Sequence, residues 1–406
     1  MHLSERVQHI AASQSLAMAA RAKEMKAAGI DVISMSLGEP DQDTPAHIRQ
    51  AAQEAIDNHW SHYGPVPGLP SLREAIANHQ NLNCPYGVSR SEELSTVNYQ
   101  FDDVLVSVGA KMAIFNAIQT VINPGDEVII PMPAWVSYTE MVKLAEGTVV
   151  PVHTRYEDNY CLTPDQLRAA LTSRTRMIIL CSPNNPTGSI YSYDQLEAFV
   201  QILRDFPEVT ILSDEIYDAL VYNNTPLQQY NNTPLQQSFA SFPELADRLI
   251  IINGVSKAYA MTGYRVGWLL CKNKAFIAAC TRLQGQQLTC ATIVAQKAAE
   301  TALTGPQDCV EQMRNIYAER RELICRLAAE IPGFKFTKPQ GAFYLFPDVS
   351  ALGGGDKVSE LLLDKAHVAV VSGSAFGCPD CIRLSYAISS EQIQEAMTRI
   401  KNALTC

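Results

Sequence analysis

The sequence predicts an α/β fold, with a mostly parallel sheet covered by helices and a second, smaller domain beside it. Three observations carry this reading. Short apolar runs alternate with helical segments through the middle of the chain, polar residues crowd the end of each run, and the pattern changes to long amphipathic segments after residue 290. With 406 residues, 47% of them apolar, the chain can bury a large core and divide into more than one domain.

The apolar runs are Val104 to Val108, Val128 to Ile130, Met177 to Leu180, Val209 to Leu212, Leu249 to Ile252 and Trp268 to Leu270, each about strand length. Between them lie segments of helical period such as KMAIFNAIQTVI, which stops at the Asn123-Pro124-Gly125 turn, and YDQLEAFVQILRDF. Beyond residue 290 the segment EQMRNIYAERRELICRLAAEI is long and amphipathic, which marks the smaller domain.

In an open parallel sheet, ligands bind beyond the carboxyl ends of the strands. Here those ends carry Gly109-Ala110-Lys111 at the head of a helix, PMPAW with Trp135, SPNNPTG, Ser213-Asp214-Glu215-Ile216-Tyr217, and Val255-Ser256-Lys257. Gly109-Ala110 is either a phosphate cradle, where free backbone N–H groups and the helix dipole favour an anion, or a plain tight turn. Asp214 ends an apolar strand, so it either pairs with a cation or caps a helix. Lys257 is either a desolvated amine with a lowered pKa, suited to forming an imine, or a lysine that snorkels to solvent. The residues alone leave each pair open.

Several classes lose their support. A net charge of -10 argues against binding a nucleic-acid backbone. No apolar run approaches a membrane span, and the start MHLSERVQHI lacks the apolar stretch of a signal peptide, so cytoplasm is the expected compartment. The eleven cysteines are scattered in apolar surroundings and read as reduced thiols. Cys378 and Cys381 in GCPDC have metal-like spacing, but no second pair completes a tetrahedral site, and no metal is expected. Neither a G-x-G-x-x-G nor a G-x-x-x-x-G-K-[ST] motif follows any of the strands. An octapeptide, YNNTPLQQ at 222 to 229, recurs unchanged at 230 to 237 and reads as a duplication within a loop. What remains is a phosphate site, a buried acid, an aromatic and a strand-end lysine, the parts that pyridoxal 5'-phosphate requires.

These residues fall in a longer set of motifs: SLGEPDQDTP, YGPVPGLPSLREAI, VSVGAKMAIFNAI, NPGDEVIIPMPAWVSY, SPNNPTG, SDEIY, SKAYAMTGYRVGW, GAFYLFPD and IRLSYA. Together they resemble the class I and II aminotransferases of pyridoxal-phosphate fold type I, nearest to the bacterial aspartate aminotransferase branch. The resemblance implies a large, cofactor-binding domain over 48–290 with a mostly parallel seven-stranded sheet, and a smaller α/β domain made of 1–47 and 291–406. It implies Lys257 as the Schiff-base lysine, with Arg265, Ser256 and the Gly109, Ala110, Lys111 turn on the cofactor phosphate. Asp214 would face the pyridine nitrogen, Tyr217 and Asn185 the ring hydroxyl, and Trp135 the ring face. Arg383, with Gly38, Trp135 and Asn185, would hold the substrate, while Lys111 and Ser15 would take the distal carboxylate of a dicarboxylic amino acid. Tyr63 would reach the phosphate in a neighbouring subunit, which implies a homodimer.

The implied reaction is transamination between aspartate and 2-oxoglutarate by alternating half-reactions, a step of amino-acid metabolism and biosynthesis. An aminotransferase for aromatic amino acids or prephenate, or a β-lyase of the same fold, stands as the alternative. A regulatory module that binds the cofactor lacks room for a DNA-binding domain. Gln287-Leu288-Thr289-Cys290-Ala291 departs from the STSNP that many relatives carry there.

Overall fold

The computed structural model describes residues 1–8, 10–11, 14–83, 97–222, 229–230, 233–234 and 237–405. Its main feature is a seven-stranded sheet. In chain order the strands are β1 (Val104–Ser107), β2 (Glu127–Met132), β3 (Thr148–His153), β4 (Thr175–Cys181), β5 (Thr210–Asp214), β6 (Leu249–Gly254) and β7 (Gly267–Leu270). Across the sheet they run β1-β7-β6-β5-β4-β2-β3, and only β7 pairs antiparallel with its neighbours.

The apolar runs are continuous because the central strands are covered on both faces. Alternate residues enter different cores. Val104, Val106, Ile129, Ile178, Leu180, Ile211 and Ile251 face one apolar cluster, while Leu105, Val128, Ile130, Ile179, Leu212 and Ile250 face the other. The helix Gly109–Val121 packs on the second face and Tyr193–Leu203 on the first.

No apolar run predicts β3. It lies at the sheet edge, mixes exposed with half-buried residues, and contains Pro151, which an edge strand tolerates because one side of it needs no ladder partner.

A separate core forms around the three-stranded antiparallel sheet of Tyr344–Leu345, Val371–Ser372 and Ile382–Ser385, with the helices Asp308–Ala328 and Ser390–Thr405 against it. The N-terminal segment joins this core through Met35, and Ile33–Ser34 pairs in parallel with Val368–Ala369. The helix Ile293–Thr304, beyond the expected boundary at 290, instead buries its alanines in the first core with Ile48 of the helix Ala46–Asp57. Between Gln287 and that helix, Thr289 adopts a left-handed conformation with φ of 66°. Of the duplicated octapeptides, only Tyr222, Gln229–Tyr230, Thr233–Pro234 and Gln237 fall within the described residues.

Candidate active site

The cavity at the carboxyl ends of these strands is lined by Gly38, Ala110, Lys111, Trp135, Asn185, Asp214, Tyr217, Ser256, Lys257, Arg265 and Arg383. Their convergence follows from the topology. Residues 109 to 111, 135, 185 and 256 to 257 follow β1, β2, β4 and β6, residue 214 ends β5, and Arg265 precedes the reversed strand β7, which starts at the same edge. Arg383 arrives from the smaller sheet and Gly38 from the N-terminal segment.

Asp214 is the last residue of β5 and only 3% exposed. Burial pushes its carboxyl up to about 6, against the pull of the Tyr138 hydroxyl, which donates to Oδ2 at 2.5 Å, and of the Ile216 amide, 3.2 Å from Oδ1. Among the described residues it forms no ion pair. Lys257 lies in the short helix Val255–Ala258, half-buried, with Nζ donating to the Gly38 carbonyl at 2.5 Å. Desolvation lowers its pKa to about 8, assisted by the Arg383 and Arg265 charges and opposed by Glu39 and Asp214.

Arg383 is 3% exposed and packs between the rings of Tyr344 and Phe376, 4.5 and 4.9 Å from its guanidinium. Nη1 donates to Asn185 Oδ1 at 2.9 Å and Nη2 to the Ser36 carbonyl at 2.7 Å, whereas Nε is buried without a partner. Arginine has five donors in a planar fork, so this one keeps capacity for a carboxylate. Tyr217 is buried and shares a 2.8 Å hydrogen bond with Tyr344. Burial holds the Tyr217 phenol well above its ordinary pKa, so it is neutral and able to donate.

The helix Gly109–Val121 starts without a side-chain cap, which leaves its first N–H groups directed at the cavity edge. Two glycines permit the approach. Gly109 has φ of 77°, and a Cβ there would stand 2.4 Å from Nη2 of Arg265; a Cβ on Gly267 would stand 2.3 Å from the Ala110 nitrogen. Arg265 itself is left-handed with φ of 57°, at a cost of roughly 1–2 kcal/mol, and its guanidinium lies beside the helix start. An uncapped helix start with an arginine beside it suits a phosphate. A buried, unpaired carboxylate suits a protonated ring nitrogen, and a half-buried amine suits an aldehyde. These residues therefore fit pyridoxal phosphate.

Lys111 is exposed at the rim, with Nζ 4.8 Å from the Trp135 ring centroid. Tyr63 does not line the cavity and is 90% exposed. Ser15 falls in the first turn of the helix Gln14–Ala27, and its side chain lies outside the described residues. Tyr138, Tyr344 and Glu39 also line the cavity, without a role in the sequence reading. Tyr138 follows Trp135 at helical spacing, and their rings meet edge to face at 5.3 Å. Tyr344 lies in GAFYLFPD and Glu39 beside Gly38, both within motifs that carry the resemblance.

Known proteins resemble the chain over nearly its whole length. The model of the family described as aminotransferase class I and II matches residues 30–400. An aspartate aminotransferase of Bacillus sp. (strain YM-2) is 41% identical, with 98% of each chain covered. An aspartate/prephenate aminotransferase of Nitrosomonas europaea is 38% identical, with 100% of each covered. Among solved structures, an aspartate aminotransferase from Rhizobium meliloti matches with a TM-score of 0.91 at 35% identity, covering 100% of this chain and 99% of that one. An aspartate aminotransferase from Thermus thermophilus with maleate gives a TM-score of 0.90 at 35% identity, over 99% and 100%.

The raised Asp214 pKa makes a stability prediction. The folded state binds this proton more tightly than the unfolded chain, whose carboxyl titrates near 3.8. The cost of its charge is therefore absent below about pH 4 and complete above about pH 6. In the ligand-free protein, Asp214→Asn should gain stability relative to the unsubstituted chain as pH rises through that window, read from urea midpoints. A difference that stays constant with pH would contradict the buried, unpaired charge.

Proposed function

Since the chain belongs to the class I and II aminotransferases, we propose that it transfers the amino group of aspartate to 2-oxoglutarate, with Lys257, Asp214 and Arg383 as its principal residues. The observation that carries this is the joint presence in one cavity of a half-buried lysine of lowered pKa, a buried carboxylate without an ion-pair partner and an arginine with an unpaired buried donor.

The cofactor is pyridoxal phosphate, as in the family. It supplies an aldehyde that condenses with amines and a ring that withdraws electrons from the bond being broken. The backbone N–H groups of Gly109, Ala110 and Lys111, with Ser256 and Arg265, hold the phosphate. Trp135 covers one ring face, Asn185 and Tyr217 donate to the ring hydroxyl, and Asp214 keeps a proton on the ring nitrogen by charge pairing. Asn185 can do so with its amide nitrogen because its oxygen is already taken by Arg383.

Lys257 would hold the cofactor, and its amine would take the proton from the substrate's α-carbon and return it. A pKa near 8 keeps part of this amine neutral at physiological pH. Arg383 clamps the α-carboxylate with the donors that Asn185 and Ser36 leave free, close to Gly38. Lys111, at the rim over Trp135, together with Ser15, takes the distal carboxylate.

We further infer a homodimer in which Tyr63, exposed in the single chain, reaches the partner's cofactor phosphate. Except for the helix Ile293–Thr304, which packs on the core of the large domain, a division into a large domain of 48–290 and a smaller one of 1–47 with 291–406 belongs to the same reading. So does a cytoplasmic location; among the described residues no helix is long and apolar enough to cross a membrane. The name of the Nitrosomonas europaea relative favours prephenate as a second acceptor, which an assay with aspartate as donor tests directly.

Two substitutions test the roles. Lys257→Ala should still bind the cofactor but lose the visible absorbance of its covalent form, with turnover reduced by on the order of 10⁴; normal turnover would refute the role. Lys111→Ala should raise KM for aspartate by roughly tenfold, the loss of one charge-assisted hydrogen bond. An unchanged KM would remove the support for a dicarboxylic substrate.

A further inference from the structure

The GCPDC turn has no part in the site just described, yet it lies directly behind it. Cys381 precedes the strand Ile382–Ser385 that carries Arg383, and Cys378 follows the short helix Gly373–Phe376, whose Phe376 ring packs 4.9 Å from the Arg383 guanidinium. The Cys381 amide donates to the Cys378 carbonyl at 3.1 Å, which closes the turn and brings the two sulfurs to 3.4 Å. Cys381 is 1% exposed, with its sulfur 3.5 Å from the Tyr160 hydroxyl. Cys378 is half-buried beside the exposed Pro379 and Asp380. One sulfur is reachable from solvent and the other is sheltered next to it. Among the described residues no group of three or more potential metal ligands forms, so nothing assigns the pair to a metal.

We propose that Cys378 and Cys381 are a redox modification site that closes to a disulfide by exchange with a small disulfide and thereby moves the wall behind Arg383. The sulfurs need only pass from 3.4 Å to the ~2.05 Å of an S–S bond, on a turn that already holds the two residues close. The Cys378 thiolate attacks one sulfur of the reagent and expels one thiol. The Cys381 sulfur, giving its proton to solvent, then attacks Sγ of Cys378 and expels the second. The protein loses two electrons and two protons, and the reagent is reduced to two thiols. Contact with Cys381 holds the Cys378 thiol below its ordinary pKa, against the opposing charges of Asp380 and Asp348, which suits it to the first attack.

The movement cannot remain in the turn. The Gly373 amide donates to the Cys381 carbonyl at 2.7 Å, the Cys378 amide donates to the Gly373 carbonyl at 2.9 Å, and a Cβ on Gly373 would stand 2.0 Å from the Cys378 oxygen. The turn is thus seated on the helix that ends in Phe376. Phe376 supports Arg383 with its ring and accepts the Ala134 amide, beside Trp135, at 3.1 Å. Drawing the sulfurs together therefore shifts the support of the arginine.

The effect on Arg383 rests on its reading as the carboxylate clamp, whereas the disulfide does not. The holoenzyme is incubated with 2-hydroxyethyl disulfide, an uncharged reagent suited to a sulfur beside Asp380, then alkylated, digested and weighed, with KM and kcat for aspartate measured in parallel. The expected result is a loss of two hydrogens in the peptide holding both cysteines and a KM raised roughly fivefold or more at little-changed kcat. Dithiothreitol should reverse both changes, and Cys378→Ser should show neither. An unmodified pair, or a mixed disulfide on Cys378 that never closes, overturns the site. A closed disulfide with unchanged KM overturns the coupling to Arg383. Reduced holoenzyme that does not turn over aspartate contradicts the substrate reading instead, and the mass result still decides the site.

Discussion

A carboxylate held out of water at the end of a buried strand costs several kcal/mol unless something answers its charge. Asp214 is that group, and much of the surrounding structure responds to it. The Tyr138 hydroxyl and the Ile216 amide bind its two oxygens, and Lys257 lies close enough to lower its pKa, yet burial still leaves it raised. Arg383 poses the opposite problem in the same cavity. Asn185, the Ser36 carbonyl and two aromatic faces satisfy it in part, and Nε remains unpaired. Buried polar groups left incomplete in this way mark a site built for a ligand that completes them. A cofactor with a cationic ring nitrogen and a substrate with a carboxylate match the two deficits.

The fold delivers these groups by topology. Strands buried on both faces end together at one edge, so short loops after β1, β2, β4, β5 and β6 bring their polar residues into one cavity. Strand β7 runs the other way, which places Arg265 at that edge from the opposite direction, against the start of the helix that β1 leads into. The smaller sheet contributes Arg383 and Tyr344, and the N-terminal segment contributes Gly38 and Glu39. The cavity therefore draws on both cores, and the two bodies must pack together for it to exist.

Much of this was legible in the sequence. The apolar runs located β1, β2, β4, β5, β6 and β7 because strands buried on both faces, edge strand β1 included, read as unbroken apolar stretches. Edge strand β3 escaped because half of its residues face solvent. Residues at or just past strand ends, such as Asp214 and Lys257, were visible from position alone. Arg383 and Gly38 needed the family resemblance, since nothing local says that the smaller sheet and the N-terminal segment reach the same cavity. Tyr138 was missed because its partner, Asp214, is distant in sequence, and only the sheet order brings β2 and β5 near one another. Tyr63 lies outside the cavity of a single chain.

The most direct measurement is the visible spectrum of the purified holoenzyme as L-aspartate is added alone and 2-oxoglutarate is added afterwards. The expected result is a yellow absorbance that bleaches with aspartate and returns with 2-oxoglutarate, the two half-reactions of amino transfer in turn. A yellow protein indifferent to aspartate, or one that releases ammonia with a 2-oxo acid, would contradict the assignment.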